Sequence, residues 1–274
     1  MSDIELTPIE VENLNVFVNP CDVRKDLHTY LDYIRSREVK RSHRSNDLPK
    51  SDLQRLAKLM TDPEAVDGLK ESGEAPWVEY IDELALQLGF VSYDTKGVYA
   101  GYTSAEPSFP DNYIEFRAGP YEEFLALSLA EQEHWLLEHL MNDKAASASE
   151  FFSRSPLGWL DRFPSWGSAT GIIPALDFPE ARWFLLDLLN RCQGGMWYST
   201  ASLVQYLKTE HPYFLIPRQL PLPKNKWERP ATRYGNFHES EYSAWGHEID
   251  ISESDPDAFE RVEGRYVERF LENI

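Results

Sequence analysis

The sequence predicts a mainly α chain with small β wings, an α+β class. Three observations carry this. Apolar residues recur at helical spacing in two separate regions, 21–102 and 178–215, and in each the helices are joined by short breaks. Residues 90–102 (FVSYDTKGVYAGY) place turn chemistry, Asp94 to Gly97, between β-rich flanks and read as a hairpin. A chain of 274 residues with 42% hydrophobic and 13% aromatic content has enough apolar surface to bury real cores, which excludes wholesale disorder. Helices joined by short turns and closed by a hairpin are the parts of a winged helix. The expected architecture is therefore a pair of tandem winged-helix-like domains.

Taken in order, residues 9–19 alternate Val11, Leu14, Val16 and Val18 loosely and read as an N-terminal arm or strand. Residues 22–37 are a helix, with Val23, Leu27, Tyr30, Leu31 and Ile34 on one face. Residues 38–46 (EVKRSHRSN) are polar and basic, a loop or short edge strand. A second helix starts at Leu48-Pro49-Lys50-Ser51-Asp52, with Leu53, Leu56, Ala57 and Met60 as its stripe. Residues 61–76 are acidic, rich in Gly and Pro, and read as a loop. Residues 77–88 form a third helix through Trp77, Ile81, Leu84 and Leu88, stopped by Gly89, with the hairpin as its wing.

A helical pair follows over 121–127 and 129–141, then an irregular aromatic-rich stretch over 145–170 containing Trp159, Phe163 and Trp166. Pro179 opens the second unit, and Ser199 is the expected N-cap of a helix over 202–208. Residues 217–257 are a long polar, Pro-rich segment, an insertion or loop, before helical spacing returns through Val262, Tyr266, Val267 and Phe270. The expected domains are an arm over 1–20, a winged-helix-like domain over 21–118, a connector over 119–177 and a second winged-helix-like domain over 178–274. That last helix has no stop signal, so the second unit is expected to continue beyond this chain or to be completed by a partner.

The net charge of −19 argues against a protein coated by nucleic acid, because phosphate contacts need cations. The charge is uneven. Residues 22–60 hold ten Lys/Arg against six Asp/Glu, a local +4 that leaves −23 for the remainder. Nucleic-acid contact is expected in this window, through Arg37, Lys40, Arg41, His43, Arg44, Lys50, Arg55 and Lys58 acting on backbone phosphates. A solvated loop beside acidic neighbours accounts for the same residues. Lys224, Lys226, Arg229 and Arg233 around Trp227 form a second candidate basic run. The tryptophans invite base stacking, but Trp77, Trp135, Trp183 and Trp197 fall on apolar faces, and core packing is the expectation.

Little else suggests chemistry. His134, Glu138 and His139 fit neither zinc-helix order, so a solvated helix face, with His134 and Glu138 one turn apart, is expected rather than a metal site. No Ser/His/Asp or Cys/His arrangement stands out locally. Cys21 and Cys192, 171 positions apart, read as two reduced, partly buried thiols of a cytoplasmic protein. No apolar run approaches the roughly 18 residues of a membrane span.

Arg182 with Leu185-Leu186, Trp197-Tyr198-Ser199, Leu203, Leu207, Pro212 and Phe214 resemble the winged-helix segments of bacterial helicase-associated proteins, which are similar to the N-terminal region of XPB-type DNA helicases. The run from Leu48 to Leu59 is similar to an earlier helix of that family. Leu84 to Gly89 resembles its wing approach, and Val262-Glu263-Gly264-Arg265-Tyr266 its later helix. The resemblance covers about two thirds of the chain and is carried mostly by a winged-helix core pattern. It implies a setting in DNA repair, transcription or defence, beside a helicase, a nuclease or another protein. The phosphate loop G-x-x-x-x-G-K-[ST] does not occur, so no ATPase of that type is expected. The expectation is a non-catalytic DNA-associated accessory or adaptor region without a cofactor. Its rival is an acidic protein–protein interaction module that does not touch DNA.

Overall fold

Asp22 starts the first helix: its carboxylate accepts the Lys25 N–H at 2.9 Å, satisfying one of the donors that a helix start leaves unpaired. The resulting α1, Val23–Arg35, buries Leu27, Tyr30, Leu31 and Ile34 along one face, the spacing expected of an amphipathic helix. In this computed structural model the described residues are 6, 8–9, 21–71, 73, 75–99, 107–142, 159–162, 177–220, 222–224, 226, 232–234, 237–240 and 249–273. The chain divides into two units, Phe17–Leu140 and Met1–Val16 with Met141–Ile274. They are called the N-terminal and C-terminal units below.

In the N-terminal unit α1 is followed by α2 (Lys50–Ala57), α3 (Ala65–Glu71) and α4 (Pro76–Gln87). Helix α3 lies in the segment read from sequence as a loop. Its Gly and charges hide the helix from composition, and only Ala65 is buried on it. Helix α4 has Pro76 at its first turn, where the missing N–H costs nothing, and ends before Gly89, whose φ is +71°. Its Val78, Ile81, Leu84 and Ala85 meet Leu27, Leu31, Leu53 and Leu56 in one core, which also takes in Tyr121 and Phe124 of α5 (Ala118–Leu125) and Leu136 of α6 (Leu129–Asn142). Phe90 stacks on Trp135 with ring centroids 5.8 Å apart and tilts against Phe124 at 5.3 Å. The helices over 119–142 thus pack into the N-terminal core.

The wing differs from its reading. Strand β1 (Val91–Ser92) does not pair with β2 (Val98–Tyr99) across the Asp94–Gly97 turn. It pairs with β4 (Glu115–Phe116), while β2 pairs with β3 (Pro107–Ser108). The two pairs are nested stretches of a single ribbon. Its arms carry five residues (93–97) against six (109–114) between the pairs, the extra residue of a bulge. Lys40 bridges Tyr113, and the Arg41 and Ile114 amides donate to Asn112 and Val39 carbonyls at 2.8 and 3.0 Å, so of the loop or short edge strand expected here the structure has a loop with one isolated bridge to the ribbon. The turn chemistry is real but local: the Asp94 carboxylate accepts from the Lys96 and Gly97 amides.

Gly97 has φ +61°, and a β-carbon there would lie 2.8 Å from Pro107 Cβ and 2.9 Å from the Phe109 ring. Gly97→Ala is therefore expected to cost about 1–3 kcal/mol of stability. An unchanged urea midpoint would show that the ribbon accommodates the methyl group without strain.

In the C-terminal unit Asp177 caps α7 (Phe178–Asn190) by accepting the Glu180 amide at 3.1 Å. Ser199 stands at the N-cap of α8 (Thr200–Glu210) without a side-chain cap bond; the Ser202 hydroxyl donates to its carbonyl instead. Leu185, Leu188, Leu203, Val204 and Leu207 are buried on these helices. The final helical stretch starts as a five-residue π segment, Glu260–Gly264, and continues as α9, Arg265–Asn273. Gly264 sits where a β-carbon would approach Val204 to 3.0 Å, so its lack of a side chain is what lets the π segment lie against α8.

Strands β5 (Trp159–Arg162), β6 (Phe237–Ser240) and β7 (Ile249–Asp250) form an antiparallel sheet in the order β5-β6-β7. They fall in the two stretches, 145–170 and 217–257, that sequence gave no strand. Each is short, and the β5–β6 partners are far apart in the chain, so no local pattern announces them. Of the expected N-terminal arm, Leu6 is buried and Ile9 bridges Trp197, its amide donating to that carbonyl at 2.8 Å; apart from Leu6, Pro8 and Ile9 the arm lies outside the described residues. Trp77 and Trp135 pack against the N-terminal core as expected, whereas Trp197 is 52% exposed and Trp183 also reaches the surface. No helix among the described residues is long and apolar enough to cross a membrane.

Candidate functional site

The basic segment folds onto its own carboxylates. Arg41 is buried and donates from Nη1 to both oxygens of Asp82, at 2.9 and 2.7 Å, and from Nε to the Asn46 carbonyl at 2.6 Å. Its guanidinium lies 3.9 Å from the Tyr93 ring centroid, and Asp82 also accepts the Tyr30 hydroxyl. Burial, reinforced by the Asp82 charge, pushes both phenols well above the usual tyrosine range, so they remain neutral donors. Asn46 makes this possible locally. It takes a left-handed conformation, φ 60°, and its side-chain amide donates to the Asp94 carbonyl. The turn thereby aims Arg41 inward.

The neighbouring cations are also engaged. Lys40 pairs with Asp111 at 2.7 Å; their hydrogen bond raises the lysine and lowers the carboxyl, holding both ionised. Arg37 stacks on the Tyr33 ring at 4.0 Å and donates to its hydroxyl, which donates in turn to Asp52 at 2.5 Å. Arg55 reaches the same Asp52 at 3.3 Å. The His43 ring lies 3.1 Å from the Ser108 hydroxyl. Arg44, Lys50 and Lys58 are exposed, and no ion pair holds them among the described residues. Sequence thus placed eight residues in a phosphate-binding patch. Arg41 is a correction to that reading, since burial and Asp82 close it to a phosphate, and three of the eight keep an uncommitted positive charge. Asp52, Asp82 and Asp111 are the partners that sequence reading missed. Asp82 is 41 positions from Arg41 and Asp111 is 71 from Lys40, so no spacing rule could have found those two.

Asp26 was likewise invisible in sequence. It is fully buried on α1 and accepts from the Thr61 amide at 3.0 Å and the Trp77 indole at 2.7 Å, tying the α2–α3 connection to α4. Nearby, burial and then the charges of Asp62, Asp26 and Glu64 push the Cys21 thiol up to about 11. It is a protonated thiol at neutral pH and no nucleophile. His134 and Glu138 pair across one turn at 3.4 Å, as their spacing suggested. Among the described residues no group of three His, Cys, Asp or Glu is placed to hold a metal ion.

The C-terminal unit carries the more open feature, a cleft of about 610 Å³ between the start of α7, the end of α8 and the 211–218 turn. Its walls are aromatic. Phe184 meets His211 edge-on at 5.0 Å and stacks on Phe214 at 5.7 Å, and Tyr213 stands exposed beside them. Asp177, Glu180 and Glu210 line the cleft with Arg218, and no cation forms an ion pair with these three acids among the described residues. The Tyr213 ring faces two guanidiniums, Arg233 at 4.8 Å and Arg218 at 5.8 Å.

No protein-family model, curated protein or solved structure matches this chain.

Arg233, from the second candidate basic run, turns inward. It pairs at 2.8 Å with Glu263, which is fully buried on the π segment, and also donates to the Pro212 carbonyl. Burial pushes the Glu263 carboxyl above the usual range, and the Arg233 hydrogen bond and charge only partly offset it. Lys224 and Lys226 are exposed, and Arg229 and Trp227 lie outside the described residues. The second basic run is thereby divided, and Arg233 works as a structural cation.

Proposed function

We propose that this chain is a non-catalytic, acidic protein-interaction module built on winged-helix-like units, and that it does not grip DNA directly. The observation that carries this reading is the composition of α4. The winged-helix part of the reading is supported by the order of helix, bridged segment, helices and ribbon in the N-terminal unit, in which α4 precedes the ribbon. In a DNA-binding winged helix that element would lie in the major groove. Here it carries Glu79, Asp82 and Glu83 and no Lys or Arg. Asp82 is buried against Arg41, which leaves Glu79 and Glu83 as the carboxylates of the outer face; at a phosphate-lined groove they are repulsive, whereas the same face suits a basic protein surface. The internal pairing of Arg41, Lys40 and Arg55 supports the same conclusion. A reducing, cytoplasmic setting fits the two free thiols. A helicase-linked setting rests on the sequence resemblance alone.

A second reading keeps DNA as a weak ligand of Arg44, Lys50 and Lys58, because these three remain exposed and unpaired among the described residues. Fluorescence anisotropy with labelled duplex, forked and single-stranded DNA at two salt concentrations decides between them. The expected result is no saturable binding even at low salt. Binding that weakens steeply with salt and disappears in a charge reversal of Arg44, Lys50 and Lys58 to Glu would overturn the protein-binding reading and establish the DNA one.

A further inference from the structure

We infer that the cleft of the C-terminal unit is a docking site for arginine side chains in a basic segment of a partner protein. This deepens the protein-binding reading and rests on it. The volume, about 610 Å³, lies within the range of about 300–1,000 Å³ that small binding clefts occupy. What selects the ligand is the lining. Glu180 and Glu210 come from opposite helix ends, and no ion pair neutralises either of them among the described residues. The same cleft is lined by the aromatic side chains of Phe184, Phe214 and Tyr213.

The lining holds three carboxylates, Asp177, Glu180 and Glu210, against one guanidinium, Arg218, so an anion meets net negative charge and a neutral apolar ligand would leave that excess unbalanced. A guanidinium satisfies both features at once, stacking on an aromatic face while its N–H fork meets a carboxylate. The chain itself shows that Tyr213 accepts this chemistry, since Arg233 and Arg218 both lie over its ring. Asp177 is less available for ligand contact, because it caps α7.

The test uses the full chain and three fluorescein-labelled hexapeptides, in which Gly alternates with Arg, with Lys or with Glu. Saturable binding of the Arg peptide is expected, with the Lys peptide about threefold weaker and the Glu peptide not bound. The double substitution Glu180→Gln/Glu210→Gln is expected to weaken the Arg peptide about tenfold, the sum of two exposed ion pairs. Tyr213→Leu should narrow the Arg-over-Lys preference, a readout that net charge alone does not move. Glu122→Gln/Glu123→Gln on α5, two exposed carboxylates that belong to neither the cleft lining nor α4, removes the same charge elsewhere and is expected to leave peptide binding unchanged.

If all variants bind the Arg peptide alike, or if the α5 variant weakens it as much as the cleft variant does, the cleft is not the site and the proposal falls, while the protein-binding reading stands. Absence of binding to any peptide also overturns the cleft assignment. The broader reading fails only on the salt-dependent DNA binding described above, so the two failures are distinguishable. Circular dichroism of each variant confirms that the surface substitutions leave the fold intact.

Discussion

Asp82→Ala is expected to lower the unfolding free energy of the N-terminal unit by about 3–5 kcal/mol, because it strands a buried guanidinium without its counter-charge. The side chains of Arg41 and Asp82 are only 7% and 6% exposed, so water cannot replace the lost partner. The same substitution removes the acceptor of the buried Tyr30 hydroxyl. Arg41→Ala leaves the mirror-image problem, an unpaired carboxylate on α4. The double variant Arg41→Met/Asp82→Leu removes both charges and is expected to recover most of the loss, since an apolar pair of similar size carries no desolvation penalty. Urea unfolding of the four proteins of this cycle measures the coupling. A loss below about 1 kcal/mol for Asp82→Ala would place the pair among solvent-screened surface bridges and contradict its burial.

Arg233→Ala is expected to cost the C-terminal unit about 3–5 kcal/mol at neutral pH by leaving the buried Glu263 carboxyl on the π segment without its counter-charge. The cost should shrink as the medium becomes acidic, because a protonated Glu263 no longer needs the cation. The wild-type pH dependence follows from the same group. Its folded pKa is raised above the ordinary 4.5, so the folded state holds the proton more tightly than the unfolded chain does. Its contribution is therefore fully present below pH 4.5 and is lost as pH rises through the raised folded value. Glu263→Gln removes this dependence. Wild type should lose stability relative to Glu263→Gln as pH rises above 4.5 through the raised folded value, measured as paired urea midpoints. A difference that does not change with pH would show that the carboxyl titrates alike in the folded and unfolded chain.

Both predictions concern residues that sequence reading did not assign correctly. Arg41 and Arg233 looked like members of solvent-facing basic runs, because local composition reports only which charges are near in the chain. Asp82 lies 41 positions from its partner and Glu263 lies 30 from its own, and neither spacing has a helical or hairpin rule behind it. The left-handed turn at Asn46 that points Arg41 inward leaves only a weak trace, an Asn in a polar loop. The acidic character of α4 was legible all along, yet its meaning depends on knowing that this helix precedes the ribbon. The cleft was not legible at all. Glu180 is part of a helix start and Glu210 of a helix end, and no spacing rule joins Phe184 to Phe214.

The sequence by itself determined the helices. α1, α2, α4, α7 and α8 follow from apolar spacing, from Asp22 and Asp177 as caps, and from Gly89 as a stop, all of which act within a few residues. It also determined that a ribbon follows α4. Tertiary structure alone decided which strands of that ribbon pair, that β5, β6 and β7 exist as a sheet, and which cations remain for a partner. The physical reason is range. Helix hydrogen bonds and caps close within a turn and leave a periodic trace, whereas strand pairing and buried ion pairs join distant residues whose meeting is set by the packed core.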